Sequence, residues 1–468
     1  MSSASHDELR ALLGADAVLT RAEEIEPFEI DQRRLYRGHA LAVLLPRSVE
    51  QVAMITRWCN QRRIGLVPQG GNTGYCGAAT PDESGRQLVL SLRRLNRIRA
   101  LDAANYSMTV EAGCVLAQVQ QAADAAERFF PLSLGSEGSC QIGGNLSTNA
   151  GGLNVVRYGM TRDLVLGIEA VLADGSVLPG LKSLRKDNTG YDLKSLLIGS
   201  EGTLAVITAA TLKLWPRMRN SATALLGLNS PADALALLGL LRSAAAEFLS
   251  SFELMPRIAI ELAARYVEGV RDPFAHPYPW YILCELTSAG AAELDALLQE
   301  TLALALERSL LLDAVLATSE RVRRSFWHLR EHIPEAQRRA GPSLKHDISV
   351  PVASLPDFIR EASQWVSEHV PEGILVCYGH AGDGNLHFNI NRIESSPDAA
   401  FLAREPDIRR AIHDLVASYH GSISAEHGIG RLKREELQRY AAPAALTAMR
   451  AIKQALDPNG IMNPGKLL

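Results

Sequence analysis

PQGGNTGYCGA, residues 68–78, carries four glycines and an Asn-Thr pair in eleven positions, and it continues directly from the strand-like run GLVP at 65–68. Glycine at this density lets the backbone approach a ligand closely and turn several N–H groups into one concavity, which favours phosphate. LGSEGSCQIGGNLSTNAGG (134–152) has the same composition, and SLRKDNTGYDLKSLLIGSEGTLAVIT (183–208) repeats Gly-Ser-Glu-Gly before a strand-like run. Any one of these loops reads equally well as a tight surface turn. Three in one domain point to an extended ligand with a diphosphate, threaded between two small lobes. None has the GxGxxG spacing of a nicotinamide-binding turn with an acid about 20 residues on, so a Rossmann domain is not indicated.

Outward from the loops, residues 40–215 alternate short β-like runs (LAVLLP, LVLSL, MTVEAG, LAVITAATLKLW) with amphipathic helices such as Val49 to Arg62. Asp174-Gly175 between two apolar runs predicts a two-residue hairpin turn, and Trp215-Pro216 closes the block. From Ser221 the strands ATALLGL, WYILCEL, LLLDAVLA and KHDISVP alternate with helices, which predicts a second α+β domain with a mainly antiparallel sheet. A helix over 404–420 ends at Gly421, and a C-terminal tail follows.

The chain has 468 residues, 47% hydrophobic and 21% charged, which is too long for one ordinary core and implies two or three domains. A net charge of −4 without a basic block argues against a nucleic-acid partner and for a small ligand. MSSASHDELR lacks an apolar h-region and no segment holds 18 uninterrupted apolar residues, so neither a signal peptide nor a spanning helix is expected, and the default location is cytoplasmic. Six cysteines without a CxxC suit a reducing compartment and offer no thiolate metal cage.

GHAGDGNLHFNI (379–390) puts two histidines and an asparagine on a hairpin. Side chains in a strand alternate faces, so Leu386, Phe388 and Ile390 point to a core while His387 and Asn389 point the other way. A turn through Asp383-Gly384 brings His380 across from His387 at cross-strand distance. SAEHGIG (424–430) offers Glu426 and His427 in a glycine-flanked turn. Two imidazoles and a carboxylate make up a catalytic site for zinc or a similar divalent ion, but the spacing matches neither HExxH nor a zinc finger, and a satisfied polar hairpin is the alternative. Lys345, Asp347 and Ser349 share one strand face, and Arg330 closes the turn of the preceding helix. Both cations read as solvated unless the substrate is an acid. His413 and His420 read as surface or core histidines.

Together the three loops, GHAGDGNLHFNI and SAEHGIG resemble the FAD-linked dehydrogenases of the vanillyl-alcohol oxidase superfamily, in the D-2-hydroxyglutarate and D-lactate dehydrogenase branch. The likeness runs from about Leu41 to DPNGIMNPGK. It implies an α+β fold: a two-lobed FAD-binding domain (1–217), a substrate or cap domain with a mainly antiparallel sheet (218–410), and a C-terminal helical segment (411–468) completing both sites. The FAD diphosphate would rest on Pro68, Gln69, Gly70, Gly71, Asn72, Thr73, Gly74 and Tyr75. Further contacts would come from Leu134, Gly135, Ser136, Gly138, Gly143, Gly144, Asn145, Thr148, Asn149, Gly151 and Gly152, from Glu201, Gly202 and Ile207, and from Asn463. Relatives that bind FAD covalently through the first loop carry histidine after the glycine pair; Asn72 stands there, so dissociable FAD is expected.

Carried over residue by residue, His380, His387 and Glu426 resemble the family's zinc ligands and His427 its catalytic base. Arg330, Lys345 and Asn389 fall where the family holds the substrate's carboxylates and hydroxyl. Four residues after the arginine, relatives carry a substrate-contacting threonine; Pro334 stands there, has no hydroxyl and would kink the helix near Arg330. The implied reaction oxidises a D-2-hydroxy acid (D-2-hydroxyglutarate first, D-malate or D-lactate after it) by hydride transfer to flavin N5, with general-base help of on the order of 10² to 10⁴ in rate. Electrons would pass to an electron-transfer flavoprotein, a quinone or a cytochrome, and a homodimer is compatible with the family. The rivals are an oxidase of the same fold using O₂ and a metal-dependent hydrolase, which has no use for three diphosphate-type loops.

Overall fold

The computed structural model describes residues 3–393 and 397–468 and divides the chain into two compact units. The first comprises the chain up to Gly152, Gly159–Arg217 and Glu426–Leu468; the second comprises Leu153–Tyr158 and Met218–Ala425. The expected C-terminal segment, 411–468, is shared between the two. Residues 411–425 belong with the sheet of the second unit and 426–468 with the glycine loops of the first, while 153–158 leave the first unit for the second.

The first unit has two lobes. In one, strands Ala40–Leu44 and Gly65–Gln69 run parallel to Gln87–Ser91, and Val18–Leu19 adds an antiparallel edge. Leu66, Val67, Leu88, Val89 and Leu90 are fully buried, as parallel strands covered on both faces must be. Helix Val49–Arg62 has its predicted bounds: the Ser48 hydroxyl accepts from the Gln51 N–H at 3.3 Å, and Arg63 turns left-handed at φ 52° to end it. In the other lobe Ile98–Asp102, Ser107–Glu111, Ala205–Lys213, Val165–Leu172 and Val177–Gly180 form an antiparallel sheet in that order. Ile98–Asp102 is exposed along its whole length, so it lacks the alternation that marks a half-buried strand. The Asp174-Gly175 hairpin has three residues, not two, between the bonded Leu172 and Ser176, and its last, Gly175, takes φ 81°.

The C-terminal tail of the first unit contains helices Arg434–Tyr440 and Pro443–Leu456, and then an extended stretch that docks on Gly65–Gln69. Leu66 N–H donates to Ile461 C=O at 2.7 Å and Asn463 N–H donates to Leu66 C=O at 2.8 Å. Lys453 Nζ secures this end, donating to the carbonyls of Thr203 at 2.7 Å and Met462 at 2.8 Å.

The second unit is an antiparallel sheet, in the order Asp313–Leu316, Asn220–Leu228, Trp280–Ser288, Leu249–Pro256, Gly373–His380, Asn385–Arg392, Ser343–Leu344, with Asp347–Ser349 also paired to Asn385–Arg392. Successive residues feed different cores. Ala224, Leu226, Ile282, Cys284, Leu386, Phe388 and Ile390 pack with helices Pro231–Ala245, Leu294–Glu307, Leu355–His369 and Glu405–Ser418, whereas Leu225, Leu283, Val376 and Tyr378 face Arg257–Tyr266, Glu320–Glu331 and Ile333–Ala340. The helix through Arg330 stops at Glu331 and restarts at Ile333 with Pro334 in its first turn, the break expected of proline. Among the described residues no helix is long and apolar enough to cross a membrane, and the six cysteines are buried and joined by no disulfide.

Candidate active site

In the first unit the glycine loops wall a cleft open to solvent. Of the residues the resemblance puts against FAD, Pro68–Gly74, Gly143, Gly144, Asn145, Thr148, Glu201, Gly202, Ile207 and Asn463 line it. Asp31, the 76–80 stretch, Leu92, Gln141, Ser147, Ala205, Val206 and His427 line it too. The walls are held by short-range chemistry. Gln69 Nε2 donates to the carbonyls of Phe28 at 3.0 Å and Ala79 at 2.8 Å, and Asn72 Nδ2 donates to Ile30 C=O at 2.8 Å. Gly71 is required by close approach: a Cβ there would lie 2.2 Å from Ser139 O.

Four lining groups reveal what the cleft is for. Thr80 Oγ1, Gln141 Oε1, Asn145 Nδ2 and Asn463 Oδ1 are buried without a hydrogen-bond partner. Buried polar atoms are almost always paired, so a set converging on one cleft marks the place of a polar ligand. Asn463 spends its other atom on structure, Nδ2 donating to Ala78 C=O at 3.0 Å and Glu201 C=O at 2.7 Å. FAD, with its ribose, diphosphate and flavin amides, fits such donors and acceptors.

Several expected cofactor residues are used differently. Leu134, Gly135, Ser136 and Gly138 lie outside the lining, where Ser136 C=O closes a turn by accepting from Cys140 N–H at 2.8 Å. Asn149 ends helix Ile142–Thr148 at φ 51°, and its Oδ1 accepts from Arg162 N–H at 2.8 Å. Gly151 and Gly152 surround Glu426: Gly152 N–H donates to Glu426 Oε2 at 3.0 Å, and a Cβ on Gly151 would come within 2.9 Å of the same oxygen. Tyr75 sets its ring edge-on to His427, centroids 4.7 Å apart.

Glu201 is a lining residue whose carboxylate works elsewhere. Oε1 accepts from Ile429 N–H and Oε2 from Gly430 N–H, each at 2.7 Å, which fixes the turn that carries Glu426 and His427. Burial pushes its carboxyl up, against the pull of those two N–H groups and of Lys433. Gly428 immediately precedes these two amides at φ 75°, where a Cβ would lie 2.9 Å from Glu201 Oε1. Gly428→Ala therefore adds a left-handed penalty of about 1–2 kcal/mol to a clash. The expected outcome is a lower unfolding midpoint together with slower turnover; an unchanged midpoint would show that the turn relaxes at no cost.

In the second unit the polar face of the hairpin gathers the expected histidines, with a different pairing. The direct cross-strand neighbour of His387 is Tyr378 on one side and Asp347 on the other. His380 lies opposite Glu253 instead, and its ring centroid is 5.4 Å from that of His387 with an interplanar angle of 79°. His380 Nδ1 is 2.8 Å from Glu253 Oε1, and His387 Nδ1 is 3.9 Å from Asp347 Oδ1. With Nδ1 taken by Glu253, Nε2 is the atom through which His380 can ligate a metal, the arrangement usual for metal-binding imidazoles. Glu426, the third member of the expected ligand set, belongs to the first unit, where His427 Nε2 is 3.8 Å from its Oε1.

Arg330 is not solvated: it is 4% exposed, and its Nε and Nη2 both donate to Glu253 Oε2, at 2.9 and 2.6 Å. Its guanidinium also lies 4.9 Å from the centroid of the Tyr378 ring. Burial raises the Glu253 carboxyl, but the charges of His380 and Arg330 and their hydrogen bonds outweigh it and hold it at about 2. Asn389 is buried, and its Nδ2 donates to Gln337 Oε1 at 3.0 Å. Lys345 is exposed between strands Ser343–Leu344 and Asp347–Ser349. Glu253 was not legible as a site residue: it sits in LSSFELMP, a strand buried at every position, with no motif around it.

A glycine-walled two-lobed unit with orphaned polar groups in its cleft, joined in one chain to an antiparallel sheet with covering helices, defines an FAD-binding flavoprotein of the vanillyl-alcohol oxidase type. Residues 40–179 match the FAD binding domain family, and 217–467 match the C-terminal domain of FAD linked oxidases. The chain belongs to the FAD-linked oxidase family, among its D-2-hydroxyacid dehydrogenases. It is 40% identical to D-2-hydroxyglutarate dehydrogenase, mitochondrial, of Bos taurus over 100% of this chain and 84% of that one. It is 38% identical to D-2-hydroxyglutarate dehydrogenase of Stutzerimonas stutzeri over 98% of both. The crystal structure of p-cresol methylhydroxylase with substrate bound shares the fold, with a TM-score of 0.79 and 18% identity over 99% of this chain and 96% of that one.

Proposed function

We propose that this protein oxidises D-2-hydroxyglutarate to the 2-oxo acid with dissociable FAD and a divalent metal ion, zinc first among the candidates. The observation that carries this reading is the cleft with four orphaned polar groups and a histidine, His427, in its lining. Full-length similarity to enzymes named for that substrate supports it. Bound FAD supplies the hydride acceptor. The metal supplies a Lewis-acid contact for the α-hydroxyl and carboxylate oxygens of the substrate.

The chain's own residues do the rest. His427 takes the hydroxyl proton on an imidazole nitrogen, with its ring set by Tyr75 and its turn set by Glu201. His380, His387 and Glu426 are the proposed metal ligands. Arg330, with Nε and Nη2 engaged by Glu253, has Nη1 to offer a substrate carboxylate; Lys345 supplies a second positive charge and Asn389 a polar contact. Two cations favour a dicarboxylate over D-lactate, while Pro334 removes the hydroxyl that relatives use and leaves D-malate a competitor.

Anaerobic mixing of the yellow protein with D-2-hydroxyglutarate, D-malate and D-lactate tests the substrate: flavin bleaching should be fastest with the first, and failure of all three sinks the reading. Treatment with a chelator should abolish bleaching, and zinc should restore it; an indifferent enzyme removes the metal. Acid precipitation should release the flavin to the supernatant because Asn72 cannot bond it covalently. We further propose an electron-transfer flavoprotein or quinone as acceptor, which stoichiometric peroxide release in air would overturn in favour of an oxidase. Six buried cysteines without a disulfide among the described residues suit a reducing compartment, the cytoplasm being the proposal; several relatives are named as mitochondrial.

A further inference from the structure

We propose that Glu253 is a positioning residue of the reaction, a single buried carboxylate that holds the metal-binding imidazole of His380 and the substrate-binding guanidinium of Arg330 in one fixed relation. The inference rests on the function proposed above and adds to it a residue outside the expected site. Glu253 is fully buried in the middle of the sheet of the second unit, its carboxylate dividing its oxygens between two partners. Oε1 meets His380 Nδ1 at 2.8 Å, while Oε2 accepts both Arg330 Nε at 2.9 Å and Nη2 at 2.6 Å.

A charge in such a place is a liability unless it is paired, and a well-packed apolar residue would serve stability as well. What an apolar residue could not do is orient. The bond to Nδ1 selects the tautomer and ring angle of His380 that presents Nε2 for ligation, and a carboxylate partner raises the basicity of that nitrogen. The two bonds from Nε and Nη2 converge on Oε2 and restrain the guanidinium, because that oxygen must lie within reach of both nitrogens along one edge of its plane. With Tyr378 against the guanidinium, Nη1 remains the nitrogen aimed by this clamp. Strand Leu249–Pro256 pairs with Gly373–His380 in the register Glu253↔His380, so the backbone itself sets the first of these contacts. One rigid group therefore ties the place of the metal to the place of the substrate's carboxylate.

The test uses the holoenzyme and Glu253→Gln, which keeps the volume but cannot accept from both partners with two carboxylate oxygens. Zinc affinity of the purified flavoprotein, measured by competition with a chromophoric chelator, should fall by on the order of 10- to 100-fold. In the same variant KM for D-2-hydroxyglutarate should rise at least about tenfold, as loss of an interaction made in ground and transition states alike requires. A purely structural glutamate would lower the unfolding midpoint and leave both readings at wild-type values, and that result overturns the proposal. If Glu253→Gln yields no folded flavoprotein, Glu253→Asp decides. It keeps the charge one methylene short, so it should show the same paired losses, and wild-type zinc affinity and KM would overturn the proposal. Wild-type controls separate the two readings: a wild-type enzyme indifferent to hydroxy acids or chelator refutes the proposed function, whereas an active, zinc-dependent wild type with an unaffected Glu253→Gln refutes only the positioning role.

Discussion

His427→Ala is expected to lower the rate of flavin reduction by D-2-hydroxyglutarate by about 10²- to 10⁴-fold, the usual worth of a general base. FAD occupancy should be unchanged, because His427 is one of many groups in the cleft wall and none of the four orphaned polar atoms is its own. The geometry gives the effect its size. The imidazole meets the edge of Tyr75, and the two amides that follow Gly428 are anchored on a buried carboxylate. Alanine leaves this frame standing and removes the proposed proton acceptor alone. Stopped-flow reduction of the flavin under anaerobic conditions reads the chemical step directly. A rate within a few-fold of wild type would remove His427 as the base.

Arg330→Ala should cost stability as well as substrate affinity. Removing one member of a buried ion pair leaves the other charge uncompensated, a loss of about 3–5 kcal/mol. Here the partner left behind is Glu253, with a side chain 1% exposed. Urea unfolding of the flavoprotein should show the loss as a lower midpoint, with KM raised in the fraction that remains folded. Arg330→Lys should recover only part of either, because an ammonium cannot reproduce the Nε and Nη2 fork. An Arg330→Ala protein as stable as wild type would mean that Glu253 finds water or another cation, and the buried pair would lose its significance.

The fold was legible wherever one local rule was enough. The hairpin is the clearest case: the alternation of Leu386, Phe388 and Ile390 against His387 and Asn389 gave both the strand and its two faces, since a strand has a period of two whatever surrounds it. Helix Val49–Arg62 was equally plain, between a serine cap and a left-handed end. Local rules failed at Ile98–Asp102, whose exposure on both faces leaves no period to detect, and at Ile142–Thr148, a helix inside a run that reads as a glycine loop. They failed too at the boundary in 411–468, because nothing near Ala425 marks the residue at which the chain changes unit.

The candidate site divides in the same way. The glycine loops, Asn463 and the histidines could be picked out in the chain because their chemistry demands unusual residues in unusual places. Glu253 could not, although it holds both His380 and Arg330. Its role depends on which strand lies beside Gly373–His380, and strand Leu249–Pro256 reaches that place across more than a hundred residues. The same is true of Glu201, whose carboxylate is bound by amides 228 and 229 residues further along the chain.

What the amino-acid order determined by itself was the inventory: a diphosphate-type binding unit, an antiparallel sheet, and the side chains able to ligate a metal, take a proton or hold a carboxylate. Periodicity and turn chemistry act over a few residues, so they survive in a linear reading. What only the folded chain decided was the pairing, namely that Arg330 donates to Glu253 through Nε and Nη2, that His380 is paired in strand register with a glutamate and not with His387, and that Glu201 serves a turn as well as a cleft. Hydrogen bonds and ion pairs act over about 3 Å, and which groups come that close is set by strand register and burial across the whole domain.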